Sequence, residues 1–437
     1  MGHVPVGLRC AVVRRGTPAA SRERRTMPAD ILPVIFGDEV EAYGFARLFH
    51  ETYGITAHVV APYPRGPINN SRILTRELVG RGVLSSSKLI PVMNRIATEH
   101  PGKRLIGLIN SDRGIEVMTH HAGEVDPAWF LPIATPEAVD LANSKEEMAR
   151  VYEELGLAAP PRATLSLAQP DTWEAALAMD TFPVVIKPSH QRDLVTYRTA
   201  GLHKVETADS APQLRARLEE LAAAGAKSEL IIQQLIPGDD TCQWVVNGYV
   251  DRSGAVTAAG SGQVLLGLHH PMYLGNAGFI MLNREGRFVE DAIRVVQRVG
   301  LRGFFSMDVK VDPRTGTAYW LDLNPRAGRG HYYLKVGGVN LATALVDDLE
   351  GTRGHSQRVT EDGIFRILPA SLLSHRYLRD PALYAEVKRI TRARKPVDPL
   401  NYAADRNLKR TLYRLIHDRR EAKAMRTYYP RVTRSGF

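Results

Sequence analysis

The chain has 437 residues, of which 44% are hydrophobic and 24% charged, and it contains two cysteines. This length allows two or three packed domains, and the composition is ordinary for a globular protein with a sizeable core. Two cysteines exclude a disulfide framework and a cysteine-based metal site, so the simplest expectation is a cytoplasmic protein. No apolar run reaches the roughly 18 residues that a membrane-spanning helix needs, so no transmembrane segment is predicted.

The formal net charge of +10 is concentrated at the two ends of the chain. Residues 371–437 carry a net +11 and residues 1–28 a net +5, which leaves −6 for the body between them. An acidic body without interleaved aromatic and basic residues opposes a basic nucleic-acid-binding protein, which is kept as the alternative from another class. The basic tail is suited to membrane phosphates, an anionic substrate or RNA.

We interpret residues 1–28 as a disordered arm or an over-extended start and exclude them from the fold. Strands and helices alternate in the chain that follows. The strands are predicted at Leu32–Phe36, Ile55–Ala61 and Leu105–Asn110. Helical patterns lie between and after them, so a parallel sheet covered by helices is expected. Ligands bind beyond the carboxyl ends of such strands, which makes candidates of Gly37, Asp38, Ser111 and Asp112. Plain turn residues are the alternative interpretation.

A new pattern begins at Asn143. Ser144 is a predicted N-cap for a helix that ends at Gly156, and Lys145 lies in its first turn, where the helix dipole disfavours a cation unless an anion is near. Short strands with hairpin turns follow at Pro183–Lys187, Leu230–Ile236, Gln243–Val250 and Ala255–Gly260. This is α+β texture, and from Pro369 onward the chain is helical and basic. The expected domains are 29–130, 131–355 and a C-terminal extension, 356–437.

The strongest chemical signal is a predicted hairpin over residues 303–324, with Asp-Pro and Gly in its turn. Pairing centred on the turn sets three pairs opposite one another: Asp308 and Asp322, Ser306 and Asn324, and Lys310 and Trp320. The opposite, apolar face is then formed by Phe305, Met307, Val309, Tyr319, Leu321 and Leu323. Facing carboxylates repel unless a cation lies between them, and two carboxylates with an amide oxygen suit magnesium on nucleotide phosphates. A solvated face neutralised by Lys310 is the alternative.

Cations elsewhere in the chain fit the same site. Arg326 and Arg329 follow the hairpin, and Lys187 ends a wholly apolar strand, where an ammonium is costly to desolvate unless an anion compensates. The segment Gln233–Asp240 joins a strand to a turn and is suited to an adenine edge and a ribose hydroxyl. No GxxxxGK[ST] loop is present, which excludes a Walker-type NTPase.

Taken in order, Lys145, Lys187, segment 233–240, Asp308 and segment 322–326 resemble the ATP-grasp signature, and the resemblance covers about residues 30–370. Within that superfamily the chain is similar to D-aspartate ligases of peptidoglycan synthesis at 35–38, 43–47, 227–229, 236–240, 247–251 and Gly275-Asn276. The resemblance implies an N-terminal parallel-sheet (pre-ATP-grasp) domain of α/β class. A two-lobed ATP-grasp domain of α+β class and a basic helical C-terminal extension are then expected to follow.

The resemblance also implies residue roles. ATP would be bound by Lys145, Lys187, Gln233, Gln234, Leu235, Ile236 and Asp240, the last through ribose. Mg²⁺, or Mn²⁺ in its place, would be held by Asp308, Asp322 and Asn324. By the resemblance, Arg326 would steady the transferring phosphoryl group. Together with the positions found above, the candidate catalytic cations are Arg326, Lys187 and Arg329, and the candidate substrate residues are Gly37, Asp38, Asp112 and Asn276. Two departures stand out, because Gln233 and Asp322 occupy positions where many members carry Glu.

The implied reaction activates a carboxylate as an acyl phosphate with ATP, after which an amine displaces phosphate to form an amide. By resemblance the acid is D-aspartate and the amine is the lysine side chain of a UDP-muramyl pentapeptide. A ligase for another amino acid or a small peptide, and a nucleotide-binding scaffold without catalysis, are the alternatives within the fold. The sequence gives no indication of oligomeric state.

Overall fold

The computed structural model describes residues 29–189, 201–202, 206–227, 229–352 and 354–436, so the predicted arm of residues 1–28 lies outside it. The strands are β1 (Ile31–Phe36), β2 (Ala57–Ala61), β3 (Leu74–Leu78), β4 (Arg104–Ile109), β5 (Trp129–Phe130), β6 (Arg162–Ser166), β7 (Val184–Pro188), β8 (Glu206–Ala208), β9 (Glu229–Gln234), β10 (Gln243–Val250), β11 (Val256–Leu268), β12 (Asn276–Leu282), β13 (Gly303–Val311), β14 (Ala318–Asn324) and β15 (Gly363–Arg366). The helices are α1 (Val40–Tyr53), α2 (Ser86–Glu99), α3 (Asp112–His120), α4 (Pro136–Asn143), α5 (Lys145–Glu154), α6 (Glu174–Leu177), α7 (Ala211–Ala223), α8 (Val289–Val299), α9 (Tyr333–Val336), α10 (Leu341–Leu349), α11 (Pro381–Ala393) and α12 (Leu408–Tyr428). None of these described helices is long and apolar enough to cross a membrane.

The N-terminal part forms a five-stranded sheet in the order β3-β2-β1-β4-β5, and its pairs are all parallel. The predicted parallel sheet is therefore confirmed. Strand β3 was not predicted, because it is an edge strand whose three central residues are exposed or half-buried and lack an apolar pattern. Strands β1 and β4 are neighbours with Phe36 opposite Ile109, so the residues that follow them meet at one edge.

Two further sheets carry the predicted α+β texture. A four-stranded antiparallel sheet has the order β6-β9-β7-β8, and a six-stranded one has the order β14-β13-β10-β11-β12-β15. Strand β15 lies beyond the expected boundary at residue 355 and completes the larger sheet by pairing with β12. The predicted helix behind Ser144 is confirmed as α5, and the Ser144 side chain accepts the N–H of Glu147 as its cap.

The hairpin β13–β14 forms, but its predicted register holds only at the outer end. Ser306 pairs with Asn324 as predicted, and a β-bulge then shifts the pairing, so that Val309 faces Trp320 and Lys310 faces Tyr319. The predicted Lys310–Trp320 pair is therefore wrong. The slip moves the Trp320 side chain into the core, where it is 1% exposed, and leaves Tyr319 and Leu321 partly exposed instead of on the apolar face. Burying the large indole is the physical reason for preferring this register.

The C-terminal extension is helical as predicted, and it is tied to the N-terminal part by a buried charge network. Asp405, almost wholly buried, accepts a hydrogen bond from the Tyr43 hydroxyl of α1 at 2.8 Å. The guanidinium of Arg410 lies 3.1 Å from the same carboxylate and stacks over the Tyr43 ring at 4.3 Å. A paired buried charge of this kind fixes α12 in place, because breaking the pair would leave a charge desolvated.

Candidate functional site

The two hairpin aspartates lie together, although a bulge in β13–β14 replaces the direct Asp308–Asp322 pairing that was predicted. Asp308 is the single residue opposite Leu321 and Asp322, so the two carboxylates share one end of the hairpin. The Asp308 carboxylate accepts a hydrogen bond from the Gln243 side chain at 3.3 Å. Asn324 donates to the Ser306 carbonyl oxygen at 3.3 Å, which aligns its amide beside them.

Two lysines from other elements face these carboxylates. The Lys145 ammonium, at the start of α5, lies 4.0 Å from an oxygen of Asp322. Removal from water lowers the pKa of Lys187 at the end of β7; the Asp322 and Asp308 carboxylates oppose that lowering, while Lys145 adds to it. The structure thus brings together four predicted site residues that the sequence separates by up to 177 positions. A buried ammonium beside both acids is suited to an anionic ligand.

Arg162 belongs to the same cluster, and sequence reasoning missed it. It lies on β6 opposite Gln233, and its Nη1 donates to the carbonyl oxygen of Lys145 at 2.7 Å. Its Nε and Nη2 atoms are buried without a hydrogen-bond partner, and burial lowers its pKa. Unpaired buried guanidinium nitrogens are costly, so the site is suited to an incoming anion. The only local signal was an arginine after Pro160-Pro161, which does not indicate a binding role.

Arg326 connects the hairpin end to the N-terminal sheet edge. Its Nε and Nη2 atoms both contact the carboxylate of Asp112 at the start of α3, with Nη2 at 3.0 Å. The same Nη2 lies 3.4 Å from the side-chain oxygen of Asn324. Asp112, predicted to bind substrate, is therefore engaged as the partner that orients Arg326. A two-point contact between planar groups fixes the guanidinium in one orientation.

A second charged cluster surrounds Arg329. Its guanidinium lies 2.5 Å from a carboxylate oxygen of Glu39 and over the ring of Tyr273 at 4.5 Å. Glu41 lies in the same cluster, and burial raises the pKa of its carboxyl to about 7, although Arg329 opposes the rise. Arg329 was predicted beside the phosphates, but its carboxylate partners are these glutamates of α1 and its N-cap. Sequence reasoning missed both glutamates, because α1 reads as a plain amphipathic helix.

The remaining predicted substrate residues lie around this second cluster. The backbone N–H of Gly37 donates to Val60, and Asp38 beside it pairs with Arg65 at 3.2 Å. Burial raises the pKa of Asp38, and Arg65 opposes it. Asn276 donates its side-chain N–H to the Tyr273 carbonyl oxygen at 2.8 Å, so it shapes the turn that presents the Tyr273 ring to the cluster.

The predicted adenine and ribose segment is partly engaged within the protein. The N–H groups of Gln234 and Leu235 donate to the carbonyl oxygens of Pro161 and Pro183 at 2.9 and 3.0 Å, so backbone contacts to adenine at these two residues would have to use their carbonyl oxygens. Gln233 and Ile236 are buried. The internal hydrogen bonds therefore reduce the number of backbone atoms of this segment that could contact ATP. That the segment binds ATP stays a prediction.

Asp240, the predicted ribose ligand, is held by a neighbouring strand and by the C-terminal residues. Its Oδ2 accepts hydrogen bonds from the Gly267 N–H at 2.9 Å and from His269 at 2.8 Å. The His269 ring stacks on Tyr429, with ring centroids 3.5 Å apart. The N–H of Gly238 donates to the Arg434 carbonyl at 2.7 Å. The C-terminal extension therefore packs directly against this segment, which no sequence pattern indicated.

The donor chemistry at β13–β14 fits magnesium bound together with phosphates. Among the described residues no group of three or more His, Cys, Asp or Glu side chains is arranged to hold a metal alone. Two carboxylates and an amide leave coordination positions for phosphate oxygens and water, which is how Mg²⁺ is commonly held beside nucleotides. The surrounding cations are those that a triphosphate needs, namely Lys145, Lys187, Arg162 and Arg326. The residues present therefore fit both groups.

Comparison with known proteins finds a sequence relative over most of the chain and solved structures with a similar fold. No family profile matches the chain. The chain is 27% identical over 325 residues to D-aspartate ligase of Enterococcus faecium, covering 73% of this chain and 76% of the relative. Solved structures share the fold: biotin carboxylase from Campylobacter jejuni has a TM-score of 0.57 at 16% identity over 76% of this chain and 74% of its own. N5-carboxyaminoimidazole synthetase from Staphylococcus aureus has a TM-score of 0.56 at 10% identity, over 77% and 81%.

Proposed function

Because this chain is an ATP-grasp carboxylate–amine ligase, we propose that it joins D-aspartate to the side-chain amine of a lysine in a UDP-muramyl pentapeptide, using ATP and Mg²⁺. The observation that carries the proposal is the meeting of Lys145 and Lys187 with Asp308 and Asp322 at one end of the hairpin. The similarity to a D-aspartate ligase over most of the chain supports the choice of acid.

The first cluster would carry out the activation step. Lys145, Lys187 and Arg162 would bind phosphate oxygens, and Asp308, Asp322 and Asn324 would hold Mg²⁺. Once bound, Mg²⁺ would offset charge on the triphosphate. A carboxylate oxygen of the acid forms a bond to the γ-phosphorus while the bond to the bridging oxygen breaks, which releases ADP and leaves an acyl phosphate. Arg326, oriented by Asp112, supplies a fixed positive charge at the transferring group.

The second step joins the amine. The amine nitrogen forms a bond to the acyl carbon, the carbon–oxygen bond to phosphate breaks, and inorganic phosphate leaves with the bonding electron pair. Counted from the neutral amine, the nitrogen also loses one proton to solvent, so an amide and inorganic phosphate are the products. The rigid cation contacts offset charge on the departing phosphate as well as on the incoming triphosphate.

The second cluster supports an amino acid as the substrate. An amino acid presents both a carboxylate and an ammonium, and recognition of both needs opposite charges held close together. Arg329 supplies the cation, and Glu39 and Glu41 supply the acids, all at the edge where β1 and β4 end. Charged groups already fixed by one another bind without further ordering cost. A plain carboxylate substrate would need the arginine alone.

A direct test uses hydroxylamine to capture the acyl phosphate as a hydroxamate. The protein is incubated with ATP and Mg²⁺ and with D-aspartate, L-aspartate, D-alanine or D-asparagine, and ADP and hydroxamate are both measured. We expect D-aspartate to give the largest signal. Equal signals from the panel, or a larger one from another acid, would show that the substrate is not specifically D-aspartate. If no acid gave ADP, the protein would be a nucleotide-binding scaffold without catalysis.

A variant series ties the reaction to the hairpin. Asp322→Ala should lower ADP release at least about 100-fold, because removal of one metal ligand weakens the charge stabilisation on which the step depends. Asp171→Ala, at an exposed position, is the matched control and should match wild type. An Asp322→Ala variant as active as wild type would refute the metal assignment. Mass spectrometry of the UDP-muramyl pentapeptide after incubation then shows whether its lysine is the acceptor.

A further inference from the structure

An apolar stripe lies exposed along the first half of α12. Among the described residues, seven large hydrophobic side chains are exposed, and four of them lie within residues 408–416: Leu408, Leu412, Leu415 and Ile416, at 89%, 57%, 53% and 44%. Their spacing of three and four residues places them on one face of the helix. Exposed apolar side chains clustered on a well-anchored helix are typical of a surface that binds a protein or a membrane.

The second half of the same face is basic. Arg419, Arg420, Lys423 and Arg426 are exposed, and so is Tyr428 at the end of the helix. At about 100° per residue, the four aliphatic residues and these four cations share an arc of about 140°, and Tyr428 lies outside that arc. Within α12, which is described in full, the two acidic residues point elsewhere. Asp418 lies 3.5 Å from Arg366 and Glu421 lies 3.8 Å from His417, and both are only partly exposed.

The other face of α12 is already occupied by the protein. Arg410 donates to the carbonyl oxygens of Pro67 and Asn69 at 3.0 and 2.9 Å, and Arg414 pairs with Asp398 at 3.0 Å. The ring of Tyr413 packs so closely on Gly66 that a β-carbon there would overlap it. These contacts hold the helix in a fixed orientation. Because the opposite face packs on the protein, the leucines point to solvent.

We propose that this face of α12 docks on the surface of an anionic lipid bilayer. Leucines and isoleucine enter the boundary between headgroups and acyl chains, and the arginines and lysine contact lipid phosphates. A helix with leucines and cations on one face and an aromatic residue at its end has the composition of an interfacial membrane helix. Each cation near an anionic surface adds favourable energy, and the two acids of α12 oppose it little because both are partly buried and each lies beside a basic side chain.

Two other occupants fit the charge pattern less well. A second copy of this chain, packed through the same face, would bring the same cations against one another, and the two partly exposed acids of α12 lie off that face. RNA would use the cations but would leave four exposed aliphatic side chains without a partner. A bilayer accommodates both halves of the face at once.

Vesicle co-sedimentation of the full chain tests the proposal. Vesicles of phosphatidylcholine with phosphatidylglycerol are compared with phosphatidylcholine alone, at low and high salt. We expect binding to the anionic vesicles that weakens with salt. The double variant Leu412→Gln/Leu415→Gln should lower the partition coefficient roughly 100-fold, since each leucine contributes roughly tenfold. Leu78→Gln, at a 47% exposed leucine of β3, is the matched control and should not change it.

Further measurements separate the outcomes. Arg419→Glu/Arg420→Glu should abolish the preference for anionic vesicles, and an unchanged thermal midpoint shows that each variant is folded. Absence of vesicle binding by wild type, or equal loss in Leu78→Gln, would overturn the proposal. So would a concentration-dependent dimer in light scattering that Leu412→Gln/Leu415→Gln dissociates, or an RNA mobility shift of comparable strength without vesicle binding. Activity on a water-soluble acceptor is measured separately, because the vesicle result does not depend on the reaction.

Discussion

Replacing Glu41 by glutamine tests the electrostatics of the second cluster. Burial raises the pKa of the Glu41 carboxyl from 4.5 to about 7. Between these two pH values the unfolded chain has released a proton that the folded protein still holds, so folding becomes less favourable as the pH rises through this window. Because a tenfold change in proton affinity is worth about 1.4 kcal/mol, the loss at pH 8 is about 3 kcal/mol. Glutamine cannot ionise and escapes this loss.

The measurement is the thermal unfolding midpoint of wild type and Glu41→Gln from pH 5 to pH 8. About 2.5 kcal/mol of that loss falls between pH 5 and pH 8, so at roughly 2 °C per kcal/mol the variant should gain about 5 °C on wild type across this range. The exposed Glu219→Gln on α7 is the control and should track wild type. A difference between Glu41→Gln and wild type that stays constant from pH 5 to pH 8 would show that Glu41 is not desolvated, and the described cluster would be wrong.

Three further predictions concern the hairpin and its neighbours. Lys187→Met should reduce ADP release at least about 100-fold and also raise the thermal midpoint, because burial lowers the pKa of Lys187 and the charge is costly without a ligand. Arg326→Lys keeps the charge but loses the two-point contact with Asp112, so kcat should fall about tenfold or more while the KM for ATP changes little. Gly303→Ala should destabilise the protein by about 3 kcal/mol or more in a denaturation experiment, because Gly303 has φ +77° and a β-carbon would collide with the carbonyl oxygen of the linker before α4. Gly316→Ala, with φ +75° but open space around it, should cost only about 1 kcal/mol.

Local patterns determined the order of the elements and much of the first cluster. The parallel sheet followed from alternating apolar strands and amphipathic helices, and the hairpin followed from its turn residues. The cap at Ser144 and the lysine ending β7 were legible because each depends on neighbours within a few residues. These predictions succeed where the physics is local.

Contacts between distant elements decided the rest. The unpaired nitrogens of Arg162 matter only because β6 lies against β9 and α5, and no short segment encodes that approach. The same holds for Arg329, whose acidic partners lie about 290 positions earlier in the chain. Distances of this kind depend on how three sheets pack, which a periodic pattern does not specify.

The hairpin β13–β14 depends both on the local sequence pattern and on tertiary packing. Alternation along the chain determined that two strands would pair and that one face would carry acids. The bulge that buries Trp320 and sets Asp308 opposite both Leu321 and Asp322 depends on the space available in the core beneath the sheet. A strand's own sequence is compatible with either register, and only the tertiary core makes one of them lower in free energy, because burial of a large side chain depends on what it packs against.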